Sequence, residues 1–196
     1  MSPAVARTSR EEIVAAARAL VEEGGPDAVT MASVAERVGV RAPSLYKRVR
    51  DRSALIEAVA IDVADDLAGA LAAADPGPSA AADARLVALA DAYRAFAARD
   101  PRATAMLFGD LGLASAEWSA ANERAARPIL AVTRALVGDD LALPAARVAT
   151  AYVHGFTSME TAGAFRLGDD AARAFRLGLR ALSAGLRAEA PRPRAG

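Results

Sequence analysis

The chain has 196 residues, enough for one or two domains with a substantial core. Its apolar content is 54 % but aromatics are only 5 %, so the apolar residues are mostly the helix formers Ala and Leu with Val, and strand-type clustering is scarce. The 24 basic and 24 acidic residues cancel, which argues against a nonspecific nucleic-acid coat, and the absence of cysteine excludes disulfides and thiolate metal sites.

The chain reads as all-α with about nine helices. Residues 1–8 form a short arm containing Arg7. Ser9 and Glu12 match a capping box, and Ile13, Val14, Ala17, Leu20 and Val21 follow at helical spacing until Gly24-Gly25-Pro26 ends the first helix. Thr30 caps a second helix over 31–38 that Gly39 stops, and a third occupies 42–48 with Pro43 in its first turn. Asp51 caps a long fourth helix carrying Leu55, Ile56, Val59, Val63, Leu67 and Leu71, broken by the linker Asp75-Pro76-Gly77-Pro78-Ser79.

Leu86, Leu89, Tyr93 and Phe96 mark a fifth helix. Asp100 caps a sixth with Pro101 in its first turn, and Gly109 to Gly112 ends it. A seventh runs from about Ser115 to Val137, with Pro128 expected to kink it. Pro144 is expected to open the eighth, ending near Gly168, and Asp169 to cap the ninth, with Phe175, Leu179, Leu182 and Leu186 in phase. The Pro- and Arg-rich tail 191–196 reads as disordered. No signal-peptide core and no run of about 18 uncharged apolar residues is present, so a cytoplasmic chain without a membrane partner is expected.

Local charge departs from the neutral total. Arg37, Arg41, Lys47, Arg48, Arg50 and Arg52 face a single acid, Asp51, between positions 37 and 52. One concentrated basic segment in a neutral chain fits a molecule that touches phosphate through one face, although a solvated helix face would look the same. Val34, Ala35, Val38, Val40 and Leu45 can pack the second and third helices together about a turn at Gly39. The small Ala42, Pro43 and Ser44 let the third helix lie close to base edges, within reach of Tyr46 and Lys47. The competing reading of Tyr46 is a packed phenol, and that of Lys47 an ordinary exposed lysine.

Residues 9–57 resemble the TetR family of transcriptional repressors. The match rests on Thr30-Met31, on Val34-Ala35-Glu36-Arg37-Val38-Gly39-Val40, on Leu45-Tyr46-Lys47-Arg48 and on Asp51-Arg52-Ser53-Ala54-Leu55. The chain departs at Arg41, where the family has Ser or Thr as a cap, and at Val49, where it has an aromatic. The resemblance implies that Arg41, Ala42, Pro43, Ser44 and Lys47 lie on the base-reading helix, while Thr30, Tyr46 and Arg52 hold phosphates of a double-stranded operator. It divides the chain into a DNA-binding domain, 1–52, and a ligand-binding and dimerisation domain, 53–190.

The segment Tyr152-Val153-His154-Gly155-Phe156 resembles a TetR-type C-terminal domain named for a Trp-His-Gly signature, with Tyr152 the nearest counterpart of the tryptophan. This implies a homodimer through helices eight and nine, reading a palindromic site. It also implies an effector cavity among helices five to eight, with Tyr93, Phe96, Met106, Phe108, Trp118, Asn122, Tyr152 and His154 as candidate walls; ordinary core is the alternative for each. Ligand in that cavity would swing helix four as a lever. His154 reads better as a hydrogen-bonded structural residue, and Glu160 as either an interface or a surface group. No cofactor, metal or enzymatic activity is expected, because one His and no Cys leave few parts for nucleophilic or metal chemistry. The competing function is a helical ligand carrier or interaction module without specific DNA binding.

Overall fold

A computed structural model describes residues 8–168 and 170–190; the expectations for Arg7, Asp169 and the tail 191–196 lie outside them. The described residues hold nine α-helices, one short 3-10 turn and no strand. They are α1 (Arg10–Gly24), the 3-10 turn Pro26–Ala28, α2 (Met31–Arg37), α3 (Ala42–Leu45) and α4 (Arg52–Ala74), followed by α5 (Ala82–Arg99), α6 (Pro101–Met106), α7 (Ala116–Val137), α8 (Asp139–Thr161) and α9 (Ala171–Glu189). None is long and apolar enough to cross a membrane.

The helix starts follow from capping. Ser9 Oγ accepts from Glu12 N at 3.1 Å while the Glu12 carboxylate accepts from Ser9 N at 2.9 Å. Thr30 and Ser33 make the same reciprocal box at α2, with Ser33 in the place usually taken by Glu or Gln. Asp51 Oδ1 accepts from Ala54 N at 2.8 Å to open α4, and Ser115 Oγ from Trp118 N at 3.0 Å to open α7. Gly39 has φ 70°, a left-handed conformation that an L side chain would strain, and so turns the chain between α2 and α3.

Four expectations change. Helix α3 stops at Leu45 rather than residue 48, and Tyr46–Arg48 continue as turn. Asp100 occupies the cap position of α6 but makes no side-chain cap, because its carboxylate binds Arg18 instead. Helix α8 begins at Asp139, well before Pro144. Two aspartates in its first turn favour the positive helix end, and Pro144, the sixth residue, lies inside the helix at the cost of one ladder hydrogen bond. It ends at Thr161, where Gly163 N donates to Glu160 O and Ala164 N to Met159 O, so Phe165 and Gly168 lie beyond it. The α9 cap is Asp170, whose carboxylate accepts from Arg173 N at 2.7 Å.

The chain divides into two compact units, Met1–Asp65 with Asp100–Asn122, and Asp66–Arg99 with Glu123–Gly196. In the first, Ile13, Ala17, Leu20 and Val21 of α1 are buried, as are Val34, Ala35, Leu45, Val49, Leu55 and Val59. Val49 is 5 % exposed, so the smaller residue is still seated in the core. In the second, α5, α8 and α9 pack on one another around Leu86, Leu89, Tyr93, Val153, Phe175 and Leu179.

Candidate functional site

The segment Thr30–Arg52 presents its chemistry outward. Leu45 is buried and anchors α3, which leaves Pro43, Ser44, Tyr46 and Lys47 exposed and Ala42 half-buried. Tyr46 is 55 % exposed, which rules out the packed-phenol alternative. Arg41 is exposed at the cap position of α3 and makes no cap hydrogen bond, as a residue without a short oxygen-bearing side chain must. Thr30 is exposed, its hydroxyl held by the box with Ser33.

The six cations of this segment are not equivalent. Arg37 forks onto Glu23 at 2.7 and 2.6 Å, and Arg50 meets Asp51 at 2.8 Å. Arg52 donates through Nε to Val29 O and through Nη2 to Pro26 O, both at 2.7 Å. The residue singled out for phosphate thus also ties the 3-10 turn, next to Thr30, to the start of α4. Arg41, Lys47 and Arg48 have no salt-bridge partner among the described residues. Arg48 feels Glu11 at longer range, so uncompensated positive charge gathers at Arg41 and Lys47, on a surface able to accept a phosphate backbone.

The residues expected to line an effector cavity fall in both units. Met106, Phe108, Trp118 and Asn122 belong to the first; Met106 is buried, Trp118 half-buried, Phe108 and Asn122 exposed. Tyr93, Phe96, Tyr152 and His154 belong to the second, where α5 and α8 bring Tyr93 Oη and His154 Nδ1 to 2.8 Å. Burial lowers the His154 pKa and raises that of the Tyr93 phenol, so the neutral pair is favoured and the phenol can donate to Nδ1. Phe96 is buried beneath the Arg99 guanidinium, 5.0 Å from the ring centre. Tyr152 stacks on Phe175 at 5.9 Å and donates to Phe175 O at 2.8 Å, a packing role between α8 and α9.

A depressed histidine pKa fixes a pH response. The unfolded chain binds a proton at the ordinary histidine value while the folded chain resists it, so this contribution is complete above that value and fades as pH falls toward the lower folded one. The melting temperature is expected to drop between about pH 7.5 and 5.5 by more in the wild type than in His154→Gln. Equal drops would show that His154 is not the titrating group.

Sequence patterning missed the ion pair of Arg94 with Glu160. Arg94 Nε donates to Glu160 Oε2 at 2.5 Å and Nη2 to Oε1, and Arg94 holds the Glu160 pKa below the usual carboxylate range. The guanidinium also lies 5.4 Å from the centre of the Phe175 ring. These partners are 66 residues apart, a separation that helix periodicity cannot bridge.

Comparison with known proteins bears on both halves. Residues 13–59 match the model for bacterial regulatory proteins of the tetR family, and residues 86–182 that of the tetracyclin repressor-like C-terminal domain. An uncharacterised HTH-type transcriptional regulator of Mycobacterium tuberculosis is 34 % identical over 160 residues, covering 81 % of this chain and 72 % of the relative. A Rhodococcus sp. RHA1 structure of unknown function superposes with a TM-score of 0.81 at 25 % identity, covering 95 % of this chain and all of the other. A TetR variant from Acinetobacter baumannii AYE, in complex with minocycline, gives 0.69 at 25 % identity over 94 % of this chain and 99 % of that one. The chain therefore belongs to the TetR family of transcriptional regulators and carries that family's DNA-binding helix-turn-helix in α2 and α3.

Proposed function

We propose that the protein is a repressor that binds a palindromic operator as a homodimer and leaves it when a small, largely apolar effector binds. The carrying observation is the pair of cations Arg41 and Lys47, exposed and without a salt-bridge partner, on and beside an exposed α3. In this reading residues 1–52 form the DNA-binding domain. Arg41, Ala42, Pro43, Ser44 and Lys47 face base edges in the major groove, while Thr30, Tyr46 and Arg52 meet phosphates. Residues 53–190 serve effector binding and pairing, and acting on the chromosome places the protein in the cytoplasm.

Pairing is supported by apolar residues left in the open on α8 and α9. Val148 is 46 %, Met159 52 % and Leu177 59 % exposed. Val148, Ala151, Gly155 and Met159 recur at helical spacing, so one stripe of α8 can pack against a second copy. Sedimentation at micromolar concentration is expected to show a dimer; a monomer would defeat the palindrome. Tyr93 with His154, Phe96 and Tyr152 supply the effector contacts from the second unit, and the minocycline complex of the Acinetobacter relative supports a small-molecule signal. An effector releases DNA only if it binds the off-operator state more tightly, by tilting α4 and with it the recognition segment that ends at Arg52.

The test is a salt titration by fluorescence anisotropy on a duplex selected from a random pool. Lys47→Ala is expected to weaken binding and reduce the slope of log K against log salt by about 0.9, one phosphate contact. An unchanged slope removes Lys47 from the interface. No specific duplex at all would favour the carrier.

A further inference from the structure

A groove of about 540 Å³ opens beside α5 on the side away from its buried face. Asp91, Arg94, Ala95 and Ala98 recur at helical spacing along one stripe, whereas Leu86, Leu89, Tyr93 and Phe96 are buried on the other. The opposite wall is the last turn and a half of α8, with Thr157, Glu160 and Thr161. All of these residues lie within the second compact unit.

Two independent features give the groove a ligand chemistry. Its charges do not balance: Arg94 is shared between the paired Glu160 and Asp91, one turn earlier on α5, leaving one carboxylate in excess. The second feature is Thr157. It is 2 % exposed, and its hydroxyl is the one buried side-chain polar atom without a hydrogen-bond partner among the described residues. Buried helical threonines ordinarily return the hydroxyl to the carbonyl four residues back. In this chain Thr104 does so to Asp100 O at 2.7 Å and Thr133 to Ile129 O at 3.0 Å. Thr157 does not, and an orphaned hydroxyl against a groove is a vacant hydrogen-bonding position.

We propose that the groove binds a small organic cation. Its ammonium group donates to the carboxylates of Asp91 and Glu160, a polar edge meets the Thr157 hydroxyl, and its hydrocarbon lies on Ala95 and Ala98. An anion would face two carboxylates, and a purely apolar molecule would strand charged groups against carbon. The volume suits a metabolite- or drug-sized molecule. Tyr93 and His154 do not line this groove, and the proposal stands whether or not those residues contact an effector.

Calorimetric titration of the full chain with 2-phenylethylamine, its neutral isostere 2-phenylethanol and phenylacetate tests this. The amine is expected to bind saturably, the alcohol about tenfold more weakly, and the acid not at all. Asp91→Asn should weaken the amine about tenfold. Thr157→Val should weaken it several-fold while leaving the melting temperature of the free protein unchanged or higher, because it removes an unsatisfied hydroxyl. Equal affinity for amine and alcohol overturns the proposal, as does absence of saturation. A lower melting temperature in Thr157→Val also overturns it, since the hydroxyl would then be satisfied in the free protein.

Discussion

Gly178→Ala is expected to destabilise the protein by about 1–3 kcal/mol, although helix propensity alone argues the reverse. Gly178 sits in the interior of α9, where replacing glycine by alanine ordinarily gains about 1 kcal/mol. Here the added Cβ would lie 2.7 Å from Cε2 of Tyr152 and closer still to its Cζ and hydroxyl. The ring has little room to retreat, because it is stacked on the fully buried Phe175 and hydrogen-bonded to Phe175 O. Relief requires breaking the stack or shifting α9 from α8, and either exceeds the propensity gain. In a Tyr152→Ala background the obstacle is absent, so the same substitution should be neutral or stabilising. A double-mutant cycle by urea unfolding measures the difference. Stabilisation by Gly178→Ala in the wild type would mean that Tyr152 does not occupy this position in solution.

Tyr152 also shows where sequence reading reached its limit. The resemblance names it as a cavity residue, but helix periodicity could not foresee its stack on Phe175 of α9, 23 residues away. Local signals were legible because their physics is local. The Ser9 box, the Asp51 cap and the Gly39 turn each involve partners within a few residues, and each was found from spacing alone. The exposed Tyr46 follows similarly from Leu45 being the buried side of so short a helix. The expectations that failed at helix starts involve competition. At α6 the start itself fell at Asp100-Pro101 as expected, and only the side-chain cap failed, because a guanidinium from another helix attracts the carboxylate more strongly than a backbone N–H does. Pro144 looked like a helix start because proline favours first turns, yet Asp139 and Asp140 had already stabilised an earlier one. The groove was invisible in the sequence, since it depends on α5 and α8 meeting with Arg94 opposite Glu160.

The carboxylate that fails to cap α6 leads to the second large effect. Arg18 of α1 binds Asp62 of α4 at 2.8 Å and Asp100 at 2.9 Å, with its side chain only 17 % exposed. Its neighbours reinforce the junction. Glu22 of α1 accepts from Ala103 N at 2.5 Å in the place Asp100 leaves empty, and Arg102 donates back to Glu22 O at 2.7 Å and to Glu23 O. Helices α1 and α6 thus cap each other's ends, with Arg18 joining α4 to both. Arg18→Met keeps the stem but removes the guanidinium that the two carboxylates share. Removing one member of a buried ion cluster typically costs 3–5 kcal/mol; Asp62 is 44 % exposed, so solvent reduces the expected loss to about 2 kcal/mol. Arg18→Lys should recover only part, because an ammonium cannot present two separated donors in a fixed fork. Arg37→Ala, which breaks the exposed pair with Glu23, should change stability little by comparison. Because α1 packs against α2, loosening it also disturbs the mounting of α3. Operator affinity should therefore fall in Arg18→Met with the salt slope intact, since no phosphate contact is lost. Unfolding at the wild-type denaturant concentration would show that the reciprocal caps alone hold this junction.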